Sequence, residues 1–130
     1  MNEYKIEANK ATIITLEPGM RSVNITFKVM STGEERSVDS SRDEGTHRVL
    51  DAVVGDSTAT VLMPVWNETI DAIKEGGTYT LSNGYTGLFK GSLRLHLGKF
   101  GSIALADEPI PEVNIEIDMS TRDFNSSPTS

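Results

Sequence analysis

The chain has no cysteine in its 130 residues, which excludes disulfides and thiolate metal sites and suits a reducing compartment. It has only two histidines, His47 and His96, far apart in sequence, so no histidine-rich zinc site is expected, and no other metal or cofactor. No apolar run reaches the ~18 residues that a membrane span needs. The opening MNEYKIEANK lacks the apolar stretch of a secretory signal. The expectation is a soluble, cytoplasmic protein with no membrane partner. The Asn-x-Ser/Thr triplets at Asn24, Asn67 and Asn125 then read as chance matches, because glycosylation needs secretion. Catalytic signatures are missing too. GYTGLFKG and GKFG do not match the phosphate-cradling Gly-x-x-x-x-Gly-Lys-Ser/Thr loop, and no nucleophile–base pair emerges from the spacing. The protein is not expected to be an enzyme.

What is present suits one domain with a small core, since 37 % of the residues are hydrophobic. The net charge of −7 argues at first against a nucleic-acid partner, because phosphate contacts need Lys and Arg. The charge is segregated, however. Residues 107–130 hold six acids and one base, whereas residues 76–106 hold Lys90, Arg94 and Lys99 and no acid at all. An acid-free stretch of this kind can form a local anion-binding face on an acidic protein.

Val23, Ile25, Phe27 and Val29 alternate with Asn24, Thr26, Lys28 and Met30, the period of a half-buried strand. Ser31 to Thr46 is polar and reads as an extended loop. Residues 48–54 and 59–66 form the second and third strands around a Gly55-Asp56-Ser57 turn. The run NETIDAIKE reads as a short helix capped by Asn67 and ended by Gly76-Gly77. Thr78 starts a fourth strand running toward Tyr85, Ser92–Leu97 is a fifth, and residues 102–106 close the barrel. The expected fold is all-β: a five-stranded OB-fold Greek-key barrel with a short helix between strands three and four. Residues 1–12 form an N-terminal extension, 13–107 the domain, and 108–130 an acidic, flexible C-terminal tail.

Aromatics make up only 6 % of the chain, so their placement carries information. Trp66 ends the third strand on the face opposite Val61, Met63 and Val65, while Tyr85 and Phe89 flank a glycine-rich hairpin. Large aromatics off the core face can serve as stacking platforms for bases, with Lys90, Arg94 and Lys99 tracking the phosphates. Structural readings compete at each position. Trp66 could cap the barrel against the helix, Tyr85 and Phe89 could pack a bent hairpin, and His96 could be an ordinary surface residue. Tyr4, Tyr79, Phe27 and Phe100 read as core or edge packing.

The runs LEPGMRSVNITFKVM, AVVGDSTATVLMPVW and IKEGGTYTLSNGYTGLFKGSLRLHLG resemble the single-domain OB-fold single-stranded DNA-binding proteins. These are the simple archaeal type and their eukaryotic relatives in the DNA-damage sensor complex. The resemblance implies stacking of bases on Trp66, Tyr85 and Phe89, and backbone contacts from Arg36 and Lys28. A further aromatic of some relatives falls at His96. It implies a sequence-tolerant protein that coats single-stranded DNA in replication, recombination and repair, with a tail that can recruit protein partners. Two features depart from the pattern. Pro64 removes a ladder donor and implies an edge or bulge in strand three, and Asp39, Asp43 and Glu44 crowd Arg36 and Arg42. An RNA-binding OB module and a protein-interaction OB module remain as rival expectations.

Overall fold

The alternation of Val23, Ile25, Phe27 and Val29 builds the first long strand, and all four side chains are at most 3 % exposed. The computed structural model describes residues 10–39 and 45–121. In chain order the strands are β1 (Lys10–Ala11), β2 (Val23–Thr32), β3 (Arg36–Asp39), β4 (Thr46–Gly55) and β5 (Thr60–Trp66). Helix α1 (Glu68–Ala72) follows, then β6 (Thr78–Phe89), β7 (Ser92–His96) and β8 (Ser102–Leu105). β2 pairs antiparallel with β4, β4 with β5, β6 with β7, and β6 returns to β2. β5 and β7 meet in parallel at Leu62 and Arg94. The five long strands thus form a closed ring of pairings, the topology of an OB fold.

One strand can serve both sides of the ring because β2 bends. Val23–Lys28 pairs with β6, Lys28–Thr32 pairs with β4, and the register shifts between Val29 and Ser31. Inside the ring lie Phe27, Val54, Met63, Leu81, Leu93 and Leu95, none more than 1 % exposed. Asp56 holds the turn between β4 and β5. Its buried carboxylate accepts hydrogen bonds from the backbone of Ile13 at 3.0 Å, Thr58 at 2.9 Å and Ala59 at 3.2 Å.

Four sequence readings change. The expected loop Ser31–Thr46 contains β3, which pairs with β4 through Arg36–Val49 and Asp39–Thr46. All four β3 residues are exposed, so no buried face marked them as a strand. The helix is five residues long, and Asn67 does not cap it with its side chain. That side chain instead accepts the Arg48 N–H at 3.0 Å. The Arg48 guanidinium then donates to the Asn67 carbonyl at 3.0 Å and to Asp71 at 2.7 Å, tying α1 to β4. At the N-terminus, the expected extension already joins the fold at β1, which pairs in parallel with Asn24 and Ile25.

The largest change concerns the tail. Residues 108–121 pack on the barrel, and Met119 is fully buried within the core cluster. The cause lies in the β5–β7 seam, where parallel pairing is confined to one residue pair and backbone groups need other partners. The Ser120 hydroxyl accepts from Leu62 N at 2.8 Å and donates to Leu93 O at 2.6 Å, bridging both strands. Thr60 N donates to Ile117 O at 2.8 Å. Thr60 and Leu62 therefore turn their N–H groups toward this segment, and Pro64, next in that phase, faces the side where β7 no longer pairs. Its missing donor falls at an open edge of the strand. The rest of the expected tail (122–130) and residues 1–9, with Tyr4, lie outside the described residues.

Candidate nucleic-acid interface

Leu62, Pro64 and Trp66 alternate outward from β5 while Val61, Met63 and Val65 fill the core. Trp66 is 44 % exposed, so it does not seal the barrel against α1. Its register partner across β4 is Val49, whose own partner across β3 is Arg36, so the three form a row over three strands. Val49 is buried although it points away from the barrel interior. The Asn67–Arg48 contacts fix the chain immediately after Trp66. Arg36 is held 3.8 Å from Asp51, which offsets part of its attraction for a phosphate.

Tyr85 and Phe89 point outward because β6 changes phase. Tyr79 and Leu81 are inward, and so are Gly84 and Thr86, which requires one extra residue between the two pairs. Asn83 provides it at φ 60°, a left-handed conformation that asparagine tolerates better than most residues. Its N–H donates to Asn24 Oδ1 at 3.0 Å. The β6–β7 connection is the two-residue turn Lys90-Gly91, with φ of 52° and 83° as such hairpins demand.

Across the hairpin Tyr85 stands opposite His96, and the rings stack at 4.8 Å with 18° between their planes. Burial, and then the nearby Arg94 charge, lower the His96 pKa below its ordinary value. The ring is therefore held in its neutral form near pH 7 and supports Tyr85 as a flat surface. Phe89 is 56 % exposed, with the Arg94 guanidinium 5.3 Å and Lys90 Nζ 5.5 Å from its ring centroid. Arg94 Nε donates to Ser92 Oγ at 3.2 Å, which orients the guanidinium. Each exposed ring of the hairpin thus has a fixed polar neighbour.

Trp66, Tyr85, His96 and Gly98 line a cleft of about 270 Å³, which also takes in Glu68. Tyr85 and Gly98 then line a second groove of about 480 Å³ that runs past Arg21, Lys99 and Phe100. Of the residues expected from sequence, the structure gathers Trp66, Tyr85, Phe89, Lys90, Arg94, His96 and Lys99 around β5, β6, β7 and the turn after β7. Arg36 joins the edge of this face. Lys28 does not. It pairs with Gly55 and Thr78, a β6 path of about 23 Å before Tyr85.

Phe27 and Tyr79 are buried, as packing residues should be. Phe100, grouped with them in the sequence reading, is 80 % exposed. Arg21 was also overlooked. For Phe100 the available signal was the glycine-flanked GKFG, where an aromatic beside lysine sits in a turn rather than on an alternating face. Among the described residues no group of His, Asp and Glu is arranged to hold a metal ion, and no helix is long and apolar enough to cross a membrane.

A family model for Ssb-like single-stranded DNA-binding proteins with an OB fold matches residues 16–105. The single-stranded DNA-binding protein Ssb of Saccharolobus solfataricus is 36 % identical over 93 residues, 72 % of this chain and 62 % of that protein. An uncharacterized Arabidopsis thaliana protein is 32 % identical over 96 residues, 68 % of this chain and 63 % of that one. The chain therefore spans a little under two thirds of the length of these relatives. The solution structure of a hypothetical Arabidopsis thaliana protein superposes with a TM-score of 0.76 at 27 % identity, covering 92 % of this chain and 88 % of that one.

Proposed function

Because the chain belongs to the Ssb-like OB-fold family of single-stranded DNA-binding proteins, we propose that it binds single-stranded DNA by stacking bases on Trp66, Tyr85 and Phe89. Arg94, Lys90 and Lys99 take the intervening phosphates, and Arg36 meets the strand at the Trp66 edge. It acts without catalysing a reaction, and it coats exposed strands during replication, recombination or repair.

The observation that carries this reading is a single outward face. It holds three partly exposed aromatic rings of 43–56 % exposure, with two cations against one of them. Exposed rings cost hydration free energy unless something covers them, and bases do so with about 1–3 kcal/mol each and little sequence preference. Cations alongside make the attraction sensitive to salt.

Fluorescence anisotropy of labelled DNA and RNA oligomers of matched mixed sequence, single-stranded and duplex, tests the proposal. Single-stranded DNA should bind most tightly, and duplex weakly, because paired bases cannot stack on protein rings. Preference for the RNA oligomer would move the reading to an RNA-binding module through the 2′-hydroxyl. Equal binding to duplex would remove base stacking as its basis.

A further inference from the structure

The most exposed large apolar side chain among the described residues is Phe100, outside the three rings just named. Its backbone is firmly placed. Asn83 Nδ2 donates to the Phe100 carbonyl at 3.3 Å. The next residue, Gly101, is packed so closely that a Cβ there would lie 2.1 Å from the Leu97 carbonyl oxygen. The turn between β7 and β8 is therefore clamped to β6 while the Phe100 ring projects into solvent. Lys99 Nζ lies 5.6 Å from the ring centroid. This repeats the arrangement at Phe89, where Lys90 is the sequence neighbour.

The groove beside Phe100 is continuous with the Trp66 cleft. Gly98, at φ 82°, brings its backbone so near Tyr85 that a Cβ would lie 3.0 Å from the ring. Tyr85 and Gly98 line both cavities. From Gly98 to Phe100 is two residues, at most about 7 Å of chain. Among the described residues, Arg21 and Lys99 are the only charged ones lining the groove. Among the described residues neither is paired with a carboxylate. The remaining lining is mostly glycine, serine, asparagine and threonine. Small polar groups of this kind suit a sugar–phosphate chain and offer little to an apolar peptide.

Resting on the single-stranded DNA-binding reading, we infer that Phe100 is a fourth base-stacking position. Lys99 and Arg21 take the phosphates beside it, and the strand passes from Tyr85 over Gly98 to reach it. The occupant is the continuation of the same DNA strand, one or two nucleotides beyond the Trp66–Phe89 face. The charge of the groove and its continuity with that face select this occupant over a protein partner.

The test uses Phe100→Ala and Phe100→Tyr, with Phe89→Ala as the reference, titrated against an oligo-dT long enough to span an OB fold. A second protein, Phe100→Trp in a Trp66→Phe background, carries its only tryptophan at position 100. Phe100→Ala should weaken binding by about 5- to 150-fold, the range of one lost base stack, while Phe100→Tyr stays near wild type. The tryptophan at position 100 should be quenched by DNA. Wild-type affinity for Phe100→Ala with weakened Phe89→Ala would overturn the fourth position and leave the binding reading standing. Bright, unquenched Phe100→Trp in saturated complex would do the same. Failure of the wild-type protein itself to bind oligo-dT would overturn both. The ring is exposed, so thermal unfolding of Phe100→Ala should match wild type.

Discussion

Two grooves on this barrel differ in what lines them, and the larger is not the better nucleic-acid site. The groove beside Phe100 has a volume of about 480 Å³ and, among the described residues, two cations and no acid. On another part of the surface, Thr26 and Thr80 border a groove of about 910 Å³ lined by Asp56, Asp107, Glu108 and Glu112, with no cation among the described residues. β6 contributes to both, through Thr80 in one and Tyr85 in the other. Volume alone would choose the acidic groove. Charge and exposed ring planes choose the other, since a phosphate chain needs cations and bases need flat partners. The net charge of −7 is thus no argument against a polyanionic ligand. Part of it, Glu108 and Glu112 at the start of the C-terminal strap, lines the acidic groove.

The comparison breaks most directly at the rings. Trp66→Ala with Phe89→Ala should cost about 2–6 kcal/mol of oligo-dT binding in total. Neutralising Asp107, Glu108 and Glu112 to Asn or Gln should leave affinity unchanged or slightly higher, at the same salt. Undiminished binding by the double alanine variant would end the distinction between the two grooves.

The strap should matter to stability instead. Met119→Ala removes a fully buried side chain and should lower the unfolding free energy by about 2–5 kcal/mol in urea titrations. Its folded fraction should still bind oligo-dT as wild type does. Arg94→Ala and Lys99→Ala should each flatten the slope of log K against log salt by about 0.7, the single-strand value per phosphate contact. The same change at Lys28, distant from the aromatic face, should leave the slope alone.

The smallest expected effect is a pH dependence. His96 has a pKa lowered by burial and by Arg94, so the unfolded chain takes up its proton first as pH falls. Its contribution is complete above the ordinary histidine value of about 6.5 and is lost as pH drops through the lower folded value. His96→Phe keeps a ring against Tyr85 and should remove that acid-side loss from thermal melts between pH 7 and 5. An unchanged profile would place the titration elsewhere.

How much was legible follows from what each segment buries. β2 and β7 were readable because one face of each is fully buried, as with Leu93 and Leu95 beside exposed or half-buried neighbours. β3 was not, since all four residues of Arg36–Asp39 are exposed and no face is buried. The strap from residue 108 was misread as a tail. It is held by one buried methionine, the Ser120 hydroxyl and scattered backbone hydrogen bonds, which leave no periodic trace, and its prolines and acids suggest solvent. At the face itself, Trp66 was visible from alternation in β5. Tyr85 depends on the extra residue at Asn83, and Phe100 on a glycine-flanked turn, and neither orientation follows from a period of two.

The measurement that bears most directly on the aromatic face is titration of oligo-dT into the wild-type protein while following tryptophan fluorescence, first at low salt and then at raised salt. Trp66 is the only tryptophan, so the signal has one source. Saturable quenching, with an affinity that weakens as salt rises, is the result expected of a base stacked on Trp66 beside phosphate-binding cations. No change in fluorescence and no binding at low salt would contradict it.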